Sequence, residues 1–231
     1  MSPLPKQPEL RYYPDGVPSA LRKATVFSQL RFYQRSEVLY QLTVHFCQRF
    51  FPTHGDRTVD QMVQAARSTQ QNIAEGCSDG QISAESELKL LGIARGSNQE
   101  LLGDYQNYLK RKDLAEWFGQ HPRFDKMHTF CKEHTHYDDY RDLLPKMSDE
   151  ELANMALCLC HQVDSGLTKY IEKKDREFVT QGGIKERMYA SRTGYRQQEQ
   201  ARLKALEQQL PQLQAEIKRL QSLLEQHGID Y

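Results

Sequence analysis

No run of about eighteen apolar residues occurs anywhere in the 231-residue chain, so no membrane-spanning helix is expected. The opening stretch, MSPLPKQPELRYYPDG, carries prolines and charges where a secretory leader carries an apolar core. Cysteine is sparse: five residues, an odd number without regular spacing, argue against a disulfide framework and make a reducing cytoplasm the expected home. Net charge is lacking too, because lysine plus arginine equals aspartate plus glutamate at 31 each, and the whole molecule offers no overall attraction for a polyanion. No phosphate-binding loop, dinucleotide fingerprint, GxSxG elbow or HExxH motif is present, so no enzymatic activity, no cofactor and no small-molecule substrate is expected.

What is there begins with uneven charge. Residues 1–50 hold seven basic against three acidic side chains and residues 182–204 six against two, whereas residues 51–181 hold sixteen against twenty-two. The positive charge sits toward the two ends. Hydrophobic residues make up 38% and charged residues 27%, somewhat polar for a globular chain, as a long exposed helix attached to one core would make it.

Apolar periodicity gives the fold class. Over 57–76, Val59, Met62, Ala66, Thr69 and Ile73 step by three and four residues and so share one helical face, narrow and made of small side chains. Leu90, Ala94, Ser97 and Leu101 form a similar stripe, with Gly92 and Gly96 beside it to let two backbones approach. Gly76 and Gly80 close one helix, and Ser83 with Glu85 and Glu87 opens the next, so the two are antiparallel neighbours, the second extending to about Trp117. An earlier helix over 27–51 has Phe32, Leu39, Leu42, Phe46 and Phe50 inside, with Arg31, Arg35 and Arg49 off that stripe and solvated, and Pro52 and Gly55 ending it. After an irregular stretch over 119–146, the capping box Ser148 to Glu151 opens a fourth helix carrying Leu152, Met155, Leu159, Val163, Leu167 and Tyr170. The expectation is an all-α protein, an antiparallel up-down four-helix bundle over 27–181. It is preceded by an extended proline-rich arm over 1–26 and followed by a basic strap over 182–196 and a coiled-coil-like helical extension over 197–231.

In that extension Leu203, Leu206, Leu210, Leu213, Ile217, Leu220 and Leu224 alternate steps of three and four, a seam that needs a partner. The partner is either another subunit or a groove on the chain's own bundle. Pro211 predicts a kink or break, since an interior proline costs about 3 kcal/mol.

The pieces AARS-x-x-x-NIAEG, ending the second helix, and IARGS-x-x-EL, in the third, resemble a bacterial four-helix-bundle family. It includes proteins encoded in intervening sequences of large-subunit ribosomal RNA genes and the accessory variability determinants of diversity-generating retroelements. GGIKERMYASRTGYR looks like the suffix of a longer subgroup. The resemblance implies a homo-oligomer, five-fold in many retroelement members, that binds RNA or a reverse transcriptase through basic surfaces. Those members are clearly basic and this chain is neutral, so any such contact is local.

Candidate contacts are Arg22, Lys23, Arg31 and Arg35 near the first helix, and Lys185, Arg187, Tyr189, Arg192, Tyr195 and Arg196 in the strap, where cations alternate with rings that stack on bases. Two readings are open for the strap: phosphate contact, or a fold-back in which its arginines pair with the acidic centre. Tyr12 and Tyr13 likewise either dock on the bundle or stack on bases. Polar residues Arg67, Gln70, Gln71, Asn72, Arg95 and Asn98 either fix helix register or face RNA. His128, Cys131, His134 and His136 have zinc-ligand chemistry but no second ligand pair at finger spacing, so the segment reads as polar surface and no metal is expected. Cys158 and His161, three apart, could form an activated thiol, though buried helix cysteines act more often as small apolar groups.

Overall fold

The computed structural model describes residues 9–52 and 57–226. Gly55, the first eight residues of the arm and residues 227–231 lie outside it.

The chain is all-α apart from one small hairpin. Two strands, β1 (Arg11–Tyr12) and β2 (Pro18–Ser19), pair antiparallel, and a 3-10 turn covers Phe27–Gln29. Then come α1 (Arg31–Phe50), α2 (Arg57–Asp79), α3 (Ala84–Arg111), α4 (Phe124–Glu133), α5 (Asp138–Arg141), a second 3-10 turn (Leu144–Lys146), α6 (Asp149–Gln181) and α7 (Ile184–Gln226).

The bundle is α1, α2, α3 and α6, each packed on two neighbours in a closed ring. Cross-links give the directions. From Glu87 with Lys174 through Asn98 with Cys160 to Tyr108 with Asp149, the α6 partner number falls as the α3 number rises, so the pair is antiparallel. The core falls into two apolar clusters: Phe46 packs edge-on to Tyr105 and Tyr108 in one, and Phe32, Ile73, Leu91, Val163 and Leu167 fill the other. Inside it, the Tyr105 hydroxyl donates to Thr43 Oγ1 at 2.9 Å and Thr43 in turn to Leu39 O, so neither buried group is orphaned. The expected caps form: Ser83 Oγ accepts from Ser86 N at 3.1 Å, and Ser148 and Glu151 make the reciprocal box at 3.2 and 2.9 Å.

Several expectations need correction. Gly92 and Gly96 are exposed with open space where a Cβ would sit, and the buried stripe of α3 runs one residue round, through Leu91, Ala94, Asn98 and Leu101. The close approach of α2 to α3 belongs to Gly76, whose added Cβ would stand 3.2 Å from that of Leu90. α3 stops at Arg111, with Asp113 in the left-handed region at φ 56°. The freed segment instead buries Trp117, whose amide donates to Asn154 Oδ1 at 2.6 Å and whose indole N–H donates to Glu150 Oε1 at 2.7 Å. A helix continued to that residue would forgo both bonds.

The arm is not simply extended, since the hairpin turns it back. α7 is one 43-residue helix that crosses both the expected strap boundary at 196 and Pro211. With seam residues at heptad positions a and d, Pro211 falls at b, facing away. Its ring and the carbonyl it frees, that of Glu207, both lie on exposed surface where water can satisfy the oxygen.

Candidate nucleic-acid interface

The two basic ends of the sequence meet at one end of the bundle. Arg22 Nη2 donates to Gly182 O, at the C-terminus of α6, at 2.9 Å. Arg187 Nε, one turn into α7, donates back to Ala20 O at 3.0 Å, with Nη2 3.5 Å from Leu21 O. These bonds clamp arm and helix together. Arg187 is therefore 3% exposed, and burial, with Arg22 and Arg11 nearby, lowers its pKa. Of the strap candidates it is the one removed from the surface, by carbonyls of the arm and not by the acidic centre.

Its neighbours point the other way. Lys185, Tyr189, Arg192 and Arg196 follow one another at steps of four, three and four, and at 3.6 residues per turn they share the face of α7 opposite Arg187 and Ser191. All four are exposed, Tyr189 at 75%, and among the described residues no carboxylate stands within ion-pair distance of the three cations. Tyr195 lies at the flank, and a shallow groove of about 500 Å³ beside it, lined also by Tyr189, Arg192, Met188 and Ser191, runs between the stripe and Pro18 and Ala20 of the hairpin segment. Tyr12 and Tyr13 on the hairpin also stay exposed, as does Lys23.

The α1 candidates do not join this surface. Arg35 is 8% exposed; its Nε and Nη2 donate to Cys131 O at 3.2 Å and Lys132 O at 2.7 Å, in the last turn of α4, and Arg31 Nη2 adds a bond to Lys132 O at 3.0 Å. A guanidinium at a helix C-terminus satisfies carbonyls that have no intrahelical partner. Burial, and then Arg31, lower the Arg35 pKa. Arg49 does the same for Leu144 O and Met147 O. The expectation of solvated α1 arginines thus fails for Arg35 and holds only in part for Arg31 and Arg49, because they tie down the segment over 119–146, which is not irregular as expected but carries α4, α5 and a 3-10 turn.

Among the remaining polar candidates, Arg95 pairs with Asp164 at 3.0 Å and Asn98 Nδ2 donates to Cys160 O at 2.9 Å, which fixes α3 against α6. Gln70 reaches Tyr33 and Glu37, and Asn72 folds back to Ser68. Arg67 lines a broad open groove with Tyr40, Gln64, Glu100 and Asp104. The histidines scatter: His128 stacks on Phe124, His134 on Phe130, and Cys131 is buried on the core side. Among the described residues no three His, Cys, Asp or Glu side chains converge as metal ligands. Cys158 is buried with Gln162 Nε2 at 3.6 Å, whereas His161 is exposed, so the thiol and imidazole do not form a pair.

Sequence reasoning treated Glu87 as a first-turn carboxylate and missed its place at this end of the bundle. It is fully buried, 3.1 Å from Lys174 Nζ and 3.3 Å from the Tyr170 hydroxyl, which donates to it. Gly80 leaves it room, since a Cβ there would stand 2.5 Å from the carboxylate. Only the small residue at 80 hinted at this.

The seam of α7 meets no other element among the described residues. Leu203, Leu206, Leu210, Leu213, Ile217 and Leu220 are 51–61% exposed and Leu224 is half-buried, so the fold-back alternative is not adopted. No helix among the described residues is long and apolar enough to cross a membrane.

Residues 28–128, spanning α1 to α3 and half of α4, match the family model described as 23S rRNA-intervening sequence protein. The match bears out the resemblance carried by the AARS and IARGS motifs, both of which lie inside it. It stops before α6 and the basic face of α7. No curated protein and no solved structure matches the chain.

Proposed function

With residues 28–128 taken as a segment of the 23S rRNA-intervening sequence protein family, we propose that the chain is a non-enzymatic, self-associating adaptor that binds nucleic acid, RNA foremost. The observation that carries this reading is the face of Lys185, Tyr189, Arg192 and Arg196, cations with no ion pair among the described residues around an exposed ring. Cations at that spacing suit a phosphate backbone, and the tyrosine supplies a stacking platform. The family's description ties it to ribosomal RNA sequence, and the resemblance adds a nucleic-acid-handling protein such as a reverse transcriptase as a further partner. Self-association is assigned to the bare leucine seam, in a cytoplasmic setting.

Fluorescence anisotropy of a labelled oligouridylate across a salt series tests the reading. Three phosphate contacts on a single strand give a log–log salt slope of about −2 per copy. Arg192→Glu with Arg196→Glu should weaken binding by about tenfold or more. Absence of binding at low salt, or binding indifferent to salt, would sink it. The second reading, a protein scaffold without a nucleic-acid role, draws on the exposed seam. It would be favoured if polar substitutions at Leu206, Leu213 and Leu220 abolished association while the protein ignored RNA.

A further inference from the structure

The stripe and the seam share one register. With Leu203, Leu210, Ile217 and Leu224 at heptad position a and Leu206, Leu213 and Leu220 at d, the same positions carried back toward the start of α7 are Glu199, Arg196, Arg192, Tyr189 and Lys185. The basic face is thus the N-terminal continuation of the apolar seam on one unbroken helix. Hairpin and bundle lie behind it, because the buried residues Arg187 and Ser191 are on the opposite side. The whole face from 185 to 224 is open to a second helix.

We propose that two copies pair in parallel through residues 203–224 and that their two stripes, brought side by side, form one composite site for single-stranded RNA; this rests on the RNA reading above. Parallel pairing in register matches every apolar layer with itself. It also sets Arg202, at position g, beside Glu207 of the second copy, at position e, twice over by symmetry, with no like charges opposed at the flanking positions. The antiparallel arrangement that pairs Leu203 with Leu220 sets Leu224 against Glu199 and Arg202 beside Leu223, and gains no charge pair. Charge and register together select the parallel dimer.

North of Leu203 the same geometry turns repulsive. Glu199 and Arg192 of each copy would face their counterparts at d and Arg196 at a, so the helices splay there and leave a fork in which six cations outnumber the two carboxylates. A polyanion lying in the fork removes that repulsion, while Tyr189 from either side stacks on its bases. Pairing and RNA binding are therefore coupled: each strengthens the other by the same factor. Three heptads make a weak dimer alone, so RNA drives the pairing.

Light scattering on column eluate, with and without an unstructured oligouridylate, is combined with the salt series on three proteins. The wild type should double its mass on taking up the oligonucleotide and show a salt slope of about −4, for six cations on a single strand. Leu206→Lys with Leu213→Lys, both exposed and outside the core, should stay monomeric, bind about tenfold more weakly and show a slope near −2. Arg192→Leu with Arg196→Leu should lose RNA yet dimerise more tightly without it, because the seam is lengthened and the repulsion gone. If the lysine variant binds with wild-type affinity and slope, or the wild type binds RNA as a monomer, the composite site is overturned and the simpler RNA reading stands. If the leucine variant keeps its RNA affinity, that reading falls as well.

Discussion

Glu87 shows how one side chain can set the pH behaviour of a fold. Taking a carboxylate out of water costs several kcal/mol unless it is paired and fully hydrogen-bonded. Here Lys174 and Tyr170 both reach Oε1, while Oε2 has no partner among the described residues. Burial therefore wins over the attraction of Lys174 and Arg22, and the Glu87 pKa lies above the ordinary carboxylate value. The folded state then holds this proton more tightly than the unfolded chain. Its contribution to stability is fully present below the ordinary pKa and is lost as pH rises through the raised one. Urea midpoints of the wild type and Glu87→Gln, compared over a pH series, should show the wild type gaining on the variant as the solution is acidified. A flat difference would mean that the carboxylate is not desolvated as described. The residue was invisible as a hub in the sequence, since Ser83, Glu85 and Glu87 together read as an ordinary helix start.

At the scale of elements, the clamp between hairpin and α7 is the feature with a measurable strength. Hydrogen bonds to a charged group contribute roughly 1.5–3 kcal/mol each, and Arg187 anchors the arm backbone at Ala20 and Leu21. Arg187→Ala should free the arm locally while the bundle core stays intact. The reporter is the Arg22 amide, bonded to Gln81 O at 3.1 Å, whose hydrogen exchange should accelerate about tenfold or more. Unchanged exchange would show that the arm is held by other contacts. The elements themselves were legible because stripes such as Leu152, Met155, Leu159, Val163 and Leu167, with their capping box, are local patterns. The end of α3 was not, since the bonds that draw Trp117 away come from Asn154 and Glu150 on another helix.

The whole molecule is a compact bundle with a long helix projecting from one end, and the two parts should behave separately. Residues 201–223 of α7 are exposed throughout, so they add nothing to the bundle's burial. Truncation after residue 196 should leave the bundle's denaturation midpoint within about 0.5 kcal/mol of the full chain, the range of surface changes, while abolishing the doubling of mass that the oligonucleotide induces in light scattering. A large loss of stability would mean that the extension packs on the bundle in solution. The neutral net charge conceals this division, with positive charge drawn to the clamp and to α7.

By itself the sequence determined the all-α class, four amphipathic helices with the caps at Ser83 and Ser148, and a heptad seam from Leu203 to Leu224. Each of these is a periodicity or a spacing, a property of neighbours along the chain. Only the tertiary structure decided which cations remain free. Arg187 and Arg35 are indistinguishable in composition from Arg192 and Arg196. What buries the first pair is a set of backbone carbonyls from residues far away in sequence, at Ala20 and at the end of α4. Hydrogen-bond demand of that kind depends on where distant segments come to rest, and a local pattern carries no record of it.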